Sequence, residues 1–269
     1  MAWCISPVYA TVAWFAGSSD NAQVQTKYPI VVETTHRHGV QPMIVATSQP
    51  YFAPYPGFFL KAHLADCFVI LDAVQFPRRT TWITRNRFKN DQGTLWATVP
   101  VLKKGLGFQK IRDVRICYAE NWPQKFRRTC DHAYARAPYL QDYRGVIERA
   151  LSRGPEFLLD FNLEIIDGLL AHLDIDTRVV LMSDLGVGGK GTALVLDICN
   201  ALGADRFLVQ SSARAYYDPV EFEQAGIERI SFSKPRYVYP QLWGDFIENL
   251  SVLDLLFNCG PKTREIILG

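Results

Sequence analysis

The sequence predicts an α/β fold with three layers, built on a Rossmann-like parallel sheet. Continuous apolar runs of strand length alternate with amphipathic helical stretches, and Gly-, Pro- and Ser-rich turns follow the runs. We also expect a β-hairpin insertion and a helical middle segment. Ligands of such sheets bind outside the carboxyl ends of the strands, so the turns after the strands are the first places to search for a site.

The first strand is predicted directly after Met43, in the run Ile-Val-Ala-Thr-Ser. Residues 17–42 are polar and have no period, so we expect residues 1–42 to be an extension that is poorly ordered or lies outside the core domain. A misplaced start codon would also explain this extension. Residues 43–269 are predicted to form a single domain.

Residues 58–71 predict a helix followed by a second strand that ends at Asp72. Apolar and polar side chains alternate along residues 82–89 and 94–101, on either side of Asn-Asp-Gln-Gly. This pattern is typical of a hairpin. Residues 110–116 suit a further strand.

Residues 122–173 have helical periodicity, broken at Ala137-Pro138 and at Arg-Gly-Pro 153–155. Sheet structure is expected again at residues 178–183 and 207–209, with a helix between them that Gly203 closes. A last helix is predicted within residues 250–260. Its N-cap is Ser251, Asp254 takes the capping-box position, and Gly260 lies beyond its end.

Bulk composition excludes several classes of protein. The net charge of +2 does not indicate a nucleic-acid binder, and the sequence has no run of about 18 apolar residues that would span a membrane. Six cysteines form no CxxC pair and no metal-like spacing with the five histidines. We expect reduced thiols, no metal and a cytoplasmic location.

The turn at residues 49–59 contains three prolines and several aromatic residues between the first strand and the first helix. Each proline fixes its own φ and restricts the preceding residue, so the turn is stiff. One interpretation is a ligand loop in which Gln49, Tyr51 and Gly57 frame the ligand beside a helix N-terminus. The alternative is a rigid connector whose aromatic side chains are buried under the edge of the sheet.

The glycine-rich loop at residues 186–192 resembles a phosphate-binding loop incompletely. A P-loop needs Gly-Lys-Ser/Thr, and here Gly191 separates Lys190 from Thr192. A glycine-rich turn with a lysine at its rim is the better interpretation.

Ser211, Ser212 and Arg214 follow the predicted strand at 207–209, and their hydroxyls and guanidinium suit a phosphate or a carboxylate. The alternative makes the serines turn residues and Arg214 a member of a surface ion pair.

A strand at residues 82–89 would place Thr84, Asn86 and Phe88 on one face and Arg85, Arg87 and Lys89 on the other. The basic face suits an anionic ligand. It equally suits a solvated edge that is protected by charge.

No catalytic triad is evident in the order of the residues, so the catalytic base is unassigned. Its candidates are Asp72 at a strand end, His63 within the first helix, and His132, which is near Lys125 and Arg128.

The sequence resembles the WbqC-like family of bacterial surface-polysaccharide gene clusters over nearly everything after Met43. The resemblance rests on Gln49-Pro-Tyr51, Ala65-Asp66, Ile-Leu-Asp-Ala-Val-Gln-Phe at 70–76, Asn86-Arg-Phe-Lys89, Thr98-Val-Pro-Val101, Trp122, Tyr134, Ala137-Pro138, Leu202-Gly-Ala204, Tyr217-Asp218, Gly226-Ile227 and residues 250–260. It implies a cytoplasmic role in making O-antigen-type or capsular glycans.

The order of the parts is also similar to pantothenate synthetase and other class I nucleotidylyl transferases. In those enzymes a His-x-Gly-His turn and a serine-rich loop bind ATP phosphates. The corresponding turn here is Tyr55-Pro-Gly-Phe58, and both histidines are missing. This departure argues against adenylyl transfer more than against nucleotide binding.

Our hypothesis is an enzyme of glycan biosynthesis that modifies a nucleotide-activated amino sugar by acyl or aminoacyl transfer, as a transferase or an ATP-dependent ligase. ATP or a nucleotide sugar is the expected small-molecule ligand, and other glycan-biosynthesis enzymes are possible partners. The alternative is a non-catalytic module that binds a sugar nucleotide or a partner enzyme. The expected ligand-binding residues are Gln49, Tyr51, Gly57, Asp72, Gln75, Asn86, Arg87, Ser211, Ser212 and Arg214.

Overall fold

The computed structural model describes residues 42–79 and 81–269. The expectation for residues 1–42 therefore lies, apart from Pro42, outside the described part of the chain. The strands are β1 Ile44–Ser48, β2 Cys67–Ile70, β3 Arg85–Asn90, β4 Gly93–Thr98, β5 Arg178–Leu181, β6 Arg206–Gln210 and β7 Glu228–Phe232. The helices are α1 Pro56–His63, α2 Trp122–Tyr134, α3 Leu140–Tyr143, α4 Gly145–Arg153, α5 Leu158–His172, α6 Gly191–Leu202, α7 Pro219–Gln224, α8 Val252–Cys259 and α9 Lys262–Leu268.

Five strands form one parallel sheet in the order β5-β2-β1-β6-β7. This is the order of a Rossmann sheet, in which the winding reverses between the first strand and its later neighbour. The predicted fold class is confirmed. The reversal lies between β1 and β6, so the crevice at the carboxyl ends of these two strands is where this architecture places ligands.

Both faces of the sheet are covered, which explains why its strands are apolar without alternation. Ala46, Phe68 and Leu208 belong to a large core that includes side chains of α1, the hairpin, α2, α5 and α8. Val45 and Phe207, on the opposite face, pack with side chains of α6 and α7. The sheet with these two helical coverings makes the three expected layers.

The hairpin and the helical middle segment are also present. β3 and β4 pair antiparallel in a separate two-stranded sheet, and α2 to α5 follow one another without a strand of the main sheet between them. The predicted strand at residues 110–116 is wrong. A short 3-10 helix, Ile111–Asp113, lies there between isolated bridges. Ile111 and Val114 are both fully buried, and their spacing of three residues suits a helical turn rather than a strand.

The last helix begins as expected at Ser251, whose hydroxyl accepts from the backbone N–H of Leu253. Asp254, however, is not part of a capping box. Its buried carboxylate accepts hydrogen bonds from the hydroxyls of Tyr134 and Tyr239, each at 2.8 Å. It thus joins α2 and α8 through the core.

Candidate functional site

The turn between β1 and α1 is held in place by side chains from distant parts of the chain. The amide of Asn86 donates to the carbonyls of Phe52 and Ala53 at 3.0 and 2.7 Å. The amide of Asn162 donates to the carbonyl of Pro50 at 2.8 Å. Both asparagines are buried, so these hydrogen bonds are shielded from water and fix the turn firmly.

The aromatic side chains of this turn divide into two groups. Phe52, Phe58 and Phe59 are buried in the core, as the rigid-connector interpretation expects. Tyr51 and Tyr55 instead line an open cavity, as the ligand-loop interpretation expects. The same turn therefore anchors itself with its phenylalanines and presents its tyrosines.

The cavity has a volume of about 410 Å³ and lies at the carboxyl ends of β1 and β6. This is the ligand position of a Rossmann sheet. It is lined by Tyr51, Tyr55, Trp82, Asn86, Arg87, Gln210, Ser212, Lys234 and Asn249.

Arg87 is one of two cations in the cavity wall. Its Nη2 donates to the carbonyls of Glu248 and Asn249 at 3.0 and 2.8 Å. Its Nε is buried without a hydrogen-bond partner. The guanidinium is thus fixed in place through Nη2 and puts a permanent positive charge in the cavity wall, which suits a phosphate or carboxylate ligand.

Lys234 is the second cation. Its ammonium donates to Oδ1 of Asn249 and lies 5.5 Å from the centre of the Tyr55 ring. Burial lowers the pKa of Lys234, the carboxylate of Glu248 opposes this shift, and the guanidinium of Arg87 adds to it. Both cations line the same cavity.

Tyr55 connects the two strands that flank the cavity. Its hydroxyl donates to Oε1 of Gln210, the last residue of β6, at 3.0 Å. Gly57 makes room for the ring: a Cβ atom at this position would lie 2.6 Å from a ring carbon of Tyr55 and 3.4 Å from a side-chain carbon of Lys234. A glycine is therefore required here by packing, although it does not itself line the cavity.

An aromatic surface extends from the cavity onto the hairpin. The ring of Trp82 lies 5.6 Å from that of Trp96, and the guanidinium of Arg85 covers Trp96 at 3.9 Å. Both tryptophans are more than two-fifths exposed. Flat exposed rings of this kind suit stacking against a nucleobase or a sugar ring.

Four of the ten residues expected to bind a ligand meet in this cavity: Tyr51, Asn86, Arg87 and Ser212. The amide of Asn86 is already used for the turn, so its main role is to position the turn. Lys89, expected on the basic face of the same strand, is buried instead, and its ammonium donates to Gln241 and to the carbonyl of Asp245. The end of the hairpin nearest its turn therefore packs against residues 241–245.

The other expected residues lie outside the lining. Ser211 donates to the carbonyl of Phe232 and contacts Ser233, which ties β6 to the end of β7. Arg214 is exposed in a 3-10 helix, and Gln75 forms an isolated bridge with Lys110. Gln49 is half-buried at the start of the turn.

Asp72 lies at the end of β2, the neighbour of β1. One oxygen of its buried carboxylate accepts from the backbone N–H of Ser183 at 2.9 Å, and the other has no hydrogen-bond partner. Burial and the charge of Asp72 raise the pKa of the nearby Asp184. Two carboxylates thus lie close together after β2 and β5.

The histidine candidates lie elsewhere. His63 is exposed in the last turn of α1. His132 is exposed on α2 and lines a different depression, together with Asp91, Arg128 and Trp243. The glycine-rich loop at 186–192 leads into α6, and the hydroxyl oxygen of Thr192 accepts from the backbone N–H of Asp218. That hydroxyl joins α6 to α7.

Sequence reasoning missed Lys234 and Asn249 as site residues. They lie after β7 in a segment without regular secondary structure. No hydrophobic periodicity in its sequence indicates that this segment packs against the turn. Gln210 and Trp82 were inside the stretches singled out, but only the tertiary structure shows that they face the same cavity.

Within residues 42–79 and 81–269, no group of three or more His, Cys, Asp or Glu side chains is arranged to hold a metal ion. The five cysteines in this part of the chain are free thiols. No helix described there is long and apolar enough to cross a membrane.

The fold and the cavity define a Rossmann-type α/β protein with a polar, aromatic cavity at its strand switch point. The profile of the WbqC-like protein family matches residues 49–266, and the chain belongs to that family, which is associated with polysaccharide gene clusters. It is also similar to the uncharacterized protein Rv1507c of Mycobacterium tuberculosis (strain ATCC 25618 / H37Rv). The identity is 31% over 225 residues, which cover 83% of this chain and 96% of the relative. No solved structure matches.

Proposed function

We propose that the chain binds a nucleotide-activated amino sugar in this cavity and attaches an acyl or aminoacyl group to it during surface-polysaccharide biosynthesis. The observation that carries the proposal is the meeting of Arg87, Lys234 and three aromatic rings at the switch point of a Rossmann sheet. Membership in a family associated with polysaccharide gene clusters supports the choice of a sugar nucleotide.

Arg87 and Lys234 are assigned to the diphosphate. Two cations on one wall match two linked phosphates, and no carboxylate lies among the nine lining residues to repel them. Arg87 carries a permanent charge and a fixed orientation, whereas Lys234 supplies a more mobile point charge. The hydroxyl of Ser212 adds a neutral partner for a phosphate oxygen.

Tyr51, Tyr55 and Trp82 are assigned to the ring systems of the ligand. Burial raises the pKa of both tyrosines, so their hydroxyls remain protonated donors at neutral pH. A nucleobase or a sugar stacks on such rings, and polar groups at their rims fix its orientation.

The transfer step requires that the amine nitrogen of the sugar bond to the carbonyl carbon of an activated donor. The leaving group departs with the electrons of its bond, and the ammonium proton passes to a base. Asp72 has an unpartnered carboxylate oxygen at the tip of the strand next to β1, but this carboxylate is buried outside the cavity lining, so the base that takes the proton is unassigned.

A second candidate function is a non-catalytic module that binds a sugar nucleotide for a partner enzyme of the same pathway. One observation favours it: none of the nine residues that line the cavity is an aspartate, a glutamate or a histidine. A passive binder needs no proton acceptor beside its ligand.

A thermal-shift screen against ATP and UDP-, GDP- and dTDP-sugars tests the proposal. We expect at least one sugar nucleotide to raise the unfolding temperature, since a ligand at 100 times its Kd adds about 2.7 kcal/mol. Arg87→Gln should reduce the shift, and Arg264→Gln, which removes an exposed arginine from α9, should keep it. If no sugar nucleotide stabilises the protein, the proposal is wrong.

Mass spectrometry of the stabilising sugar nucleotide, incubated with acyl and aminoacyl donors, then separates the two functions. A mass increase that is lost in Arg87→Gln supports the transferase. Binding without any mass change supports the module.

A further inference from the structure

Two loops pack together into one exposed surface beside the carboxyl end of β2. The backbone N–H of Phe76 donates to the carbonyl of Gln109 at 2.8 Å, and Gln75 bridges to Lys110. The guanidinium of Arg78 covers the ring of Phe108 at 4.0 Å. Residues 73–79 and 99–112 therefore form a single structured surface, which we call the basic loop surface.

Large apolar side chains project from this surface into water. Leu102 is 43% exposed, Leu106 is 49% exposed and Phe108 is 67% exposed. They lie within seven consecutive residues, so exposed apolar side chains are concentrated in one short loop. Concentrations of exposed apolar side chains are typical of interaction sites.

The same surface concentrates positive charge. Its two segments contain six basic residues and no acidic ones, whereas the whole chain has a net charge of only +2. The remainder of the chain is therefore net acidic. The basic residues are Arg78, Arg79, Lys103, Lys104, Lys110 and Arg112. One of the six, Arg112, forms an ion pair with Asp113, which directly follows the second segment.

We propose that the basic loop surface docks the protein on an anionic lipid bilayer. Membrane-surface segments combine apolar side chains, which enter the boundary between headgroups and acyl chains, with lysines and arginines that pair with anionic headgroups. Lys103 and Lys104 lie between Leu102 and Leu106, and their long stems can follow the apolar side chains while their charges stay at the headgroups.

A soluble polyanion fits the surface less well. It would satisfy the charges but leave Leu102, Leu106 and Phe108 in water. Residues 73–79 directly follow β2, and the carboxyl ends of all the parallel strands lie at one edge of the sheet. Docking would therefore bring the edge that holds the ligand cavity toward the bilayer.

Co-sedimentation of the full chain with vesicles tests the proposal independently of any sugar nucleotide. We expect binding to vesicles of mixed phosphatidylcholine and phosphatidylglycerol, and little binding to phosphatidylcholine alone. Lys103→Gln/Lys104→Gln should lower the partition coefficient by about 25-fold, because each basic residue near the surface contributes about fivefold. Leu106→Ser/Phe108→Ser should also lower it at least tenfold, since it removes most of the inserted apolar area.

Two matched variants serve as controls. Lys262→Gln/Arg264→Gln removes two exposed charges from α9, and Val220→Ser removes an exposed apolar side chain from α7. Both should bind vesicles like the unmodified protein. No binding to the anionic vesicles, or an equal loss in the control variants, would overturn the proposal. So would binding to heparin combined with no binding to vesicles, because it would assign the surface to a soluble polyanion.

Discussion

The hydroxyl of Tyr55 donates to the side-chain carbonyl of Gln210 at 3.0 Å and so links two residues that lie 155 positions apart in the chain. Tyr55 ends the turn after β1, and Gln210 ends β6. This hydrogen bond therefore spans the two strands between which the sheet reverses its winding. Burial, helped by the neighbouring Tyr51, raises the pKa of Tyr55 to about 12, so the hydroxyl keeps its proton at neutral pH.

Tyr55→Phe removes this donor and keeps the ring. We expect affinity for a sugar nucleotide to fall about fivefold, because a net hydrogen bond is worth about 1 kcal/mol. Isothermal titration calorimetry measures this affinity. Tyr118→Phe is the matched control, since it removes a hydroxyl that donates to the carbonyl of Pro155 outside the cavity. Equal affinities for all three proteins would show that the link does not shape the site.

Gly57→Ala should displace the Tyr55 ring, because the new Cβ would lie 2.6 Å from it. We expect affinity to fall at least tenfold while the protein stays folded, as measured by calorimetry and circular dichroism. Gly145→Ala, at the start of α4, meets no atom within 4 Å and should change neither property. Unchanged binding in Gly57→Ala would mean that the position of Tyr55 is not critical.

Asn86→Asp should destabilise the protein by about 3 kcal/mol or more. It replaces a buried amide that donates to two carbonyls with a carboxylate that repels them. Urea unfolding measures the loss. Asn90→Asp on the same strand should be nearly neutral, since only the side-chain oxygen of Asn90 accepts a hydrogen bond, from Gln92. A similar stability for the two variants would contradict the assignment of Asn86 as an anchor of the turn.

Lys61 gives a prediction about pH. Its ammonium donates to the carbonyl of Thr47 at 2.7 Å, and burial lowers its pKa from 10.5 to about 8. The folded protein thus binds fewer protons at this group than the unfolded chain does between these two values. The contribution of Lys61 to the free energy of unfolding therefore rises from pH 8 to about pH 10.5.

Lys61→Met removes this rise, and at pH 7 it should increase stability by about 1 to 2 kcal/mol. Each pKa unit is worth about 1.4 kcal/mol, and water screens part of a half-buried charge. Denaturant unfolding across this pH range measures the difference between the two proteins. Lys262→Met, at an exposed site on α9, should keep the slope of the unmodified protein. If the free energy of unfolding of Lys61→Met rises with pH as steeply as that of the unmodified protein, the account is contradicted.

The sheet, the hairpin and the helical segment were predictable because local sequence carries their signal. Apolar runs such as residues 67–70 and the Asn-Asp-Gln-Gly turn determine structure over a few residues. The strand predicted at 110–116 failed because the spacing of Ile111 and Val114 follows tertiary packing rather than strand alternation. Lys89 was misplaced for the same reason, since residues 241–245 cover it from a distant part of the chain.

The cavity lining was predictable after strand tips and on the first strand of the hairpin, where Asn86 and Arg87 lie. Tyr51 and Ser212 come directly after β1 and β6, and the Rossmann order brings those ends together. Lys234 and Asn249 lie in a segment without regular structure, whose path over the turn depends on contacts such as the hydrogen bonds from Arg87 to residues 248 and 249. No local pattern encodes such a path.

Titration of the protein with UDP, GDP and dTDP by isothermal titration calorimetry tests the central claim that the cavity holds a nucleoside diphosphate. The account predicts that at least one of them binds, that Arg87→Gln and Lys234→Gln each weaken binding at least tenfold, and that Arg264→Gln, on α9, leaves it unchanged. Binding of none of the three, or an equal loss in Arg264→Gln and Arg87→Gln, would contradict it.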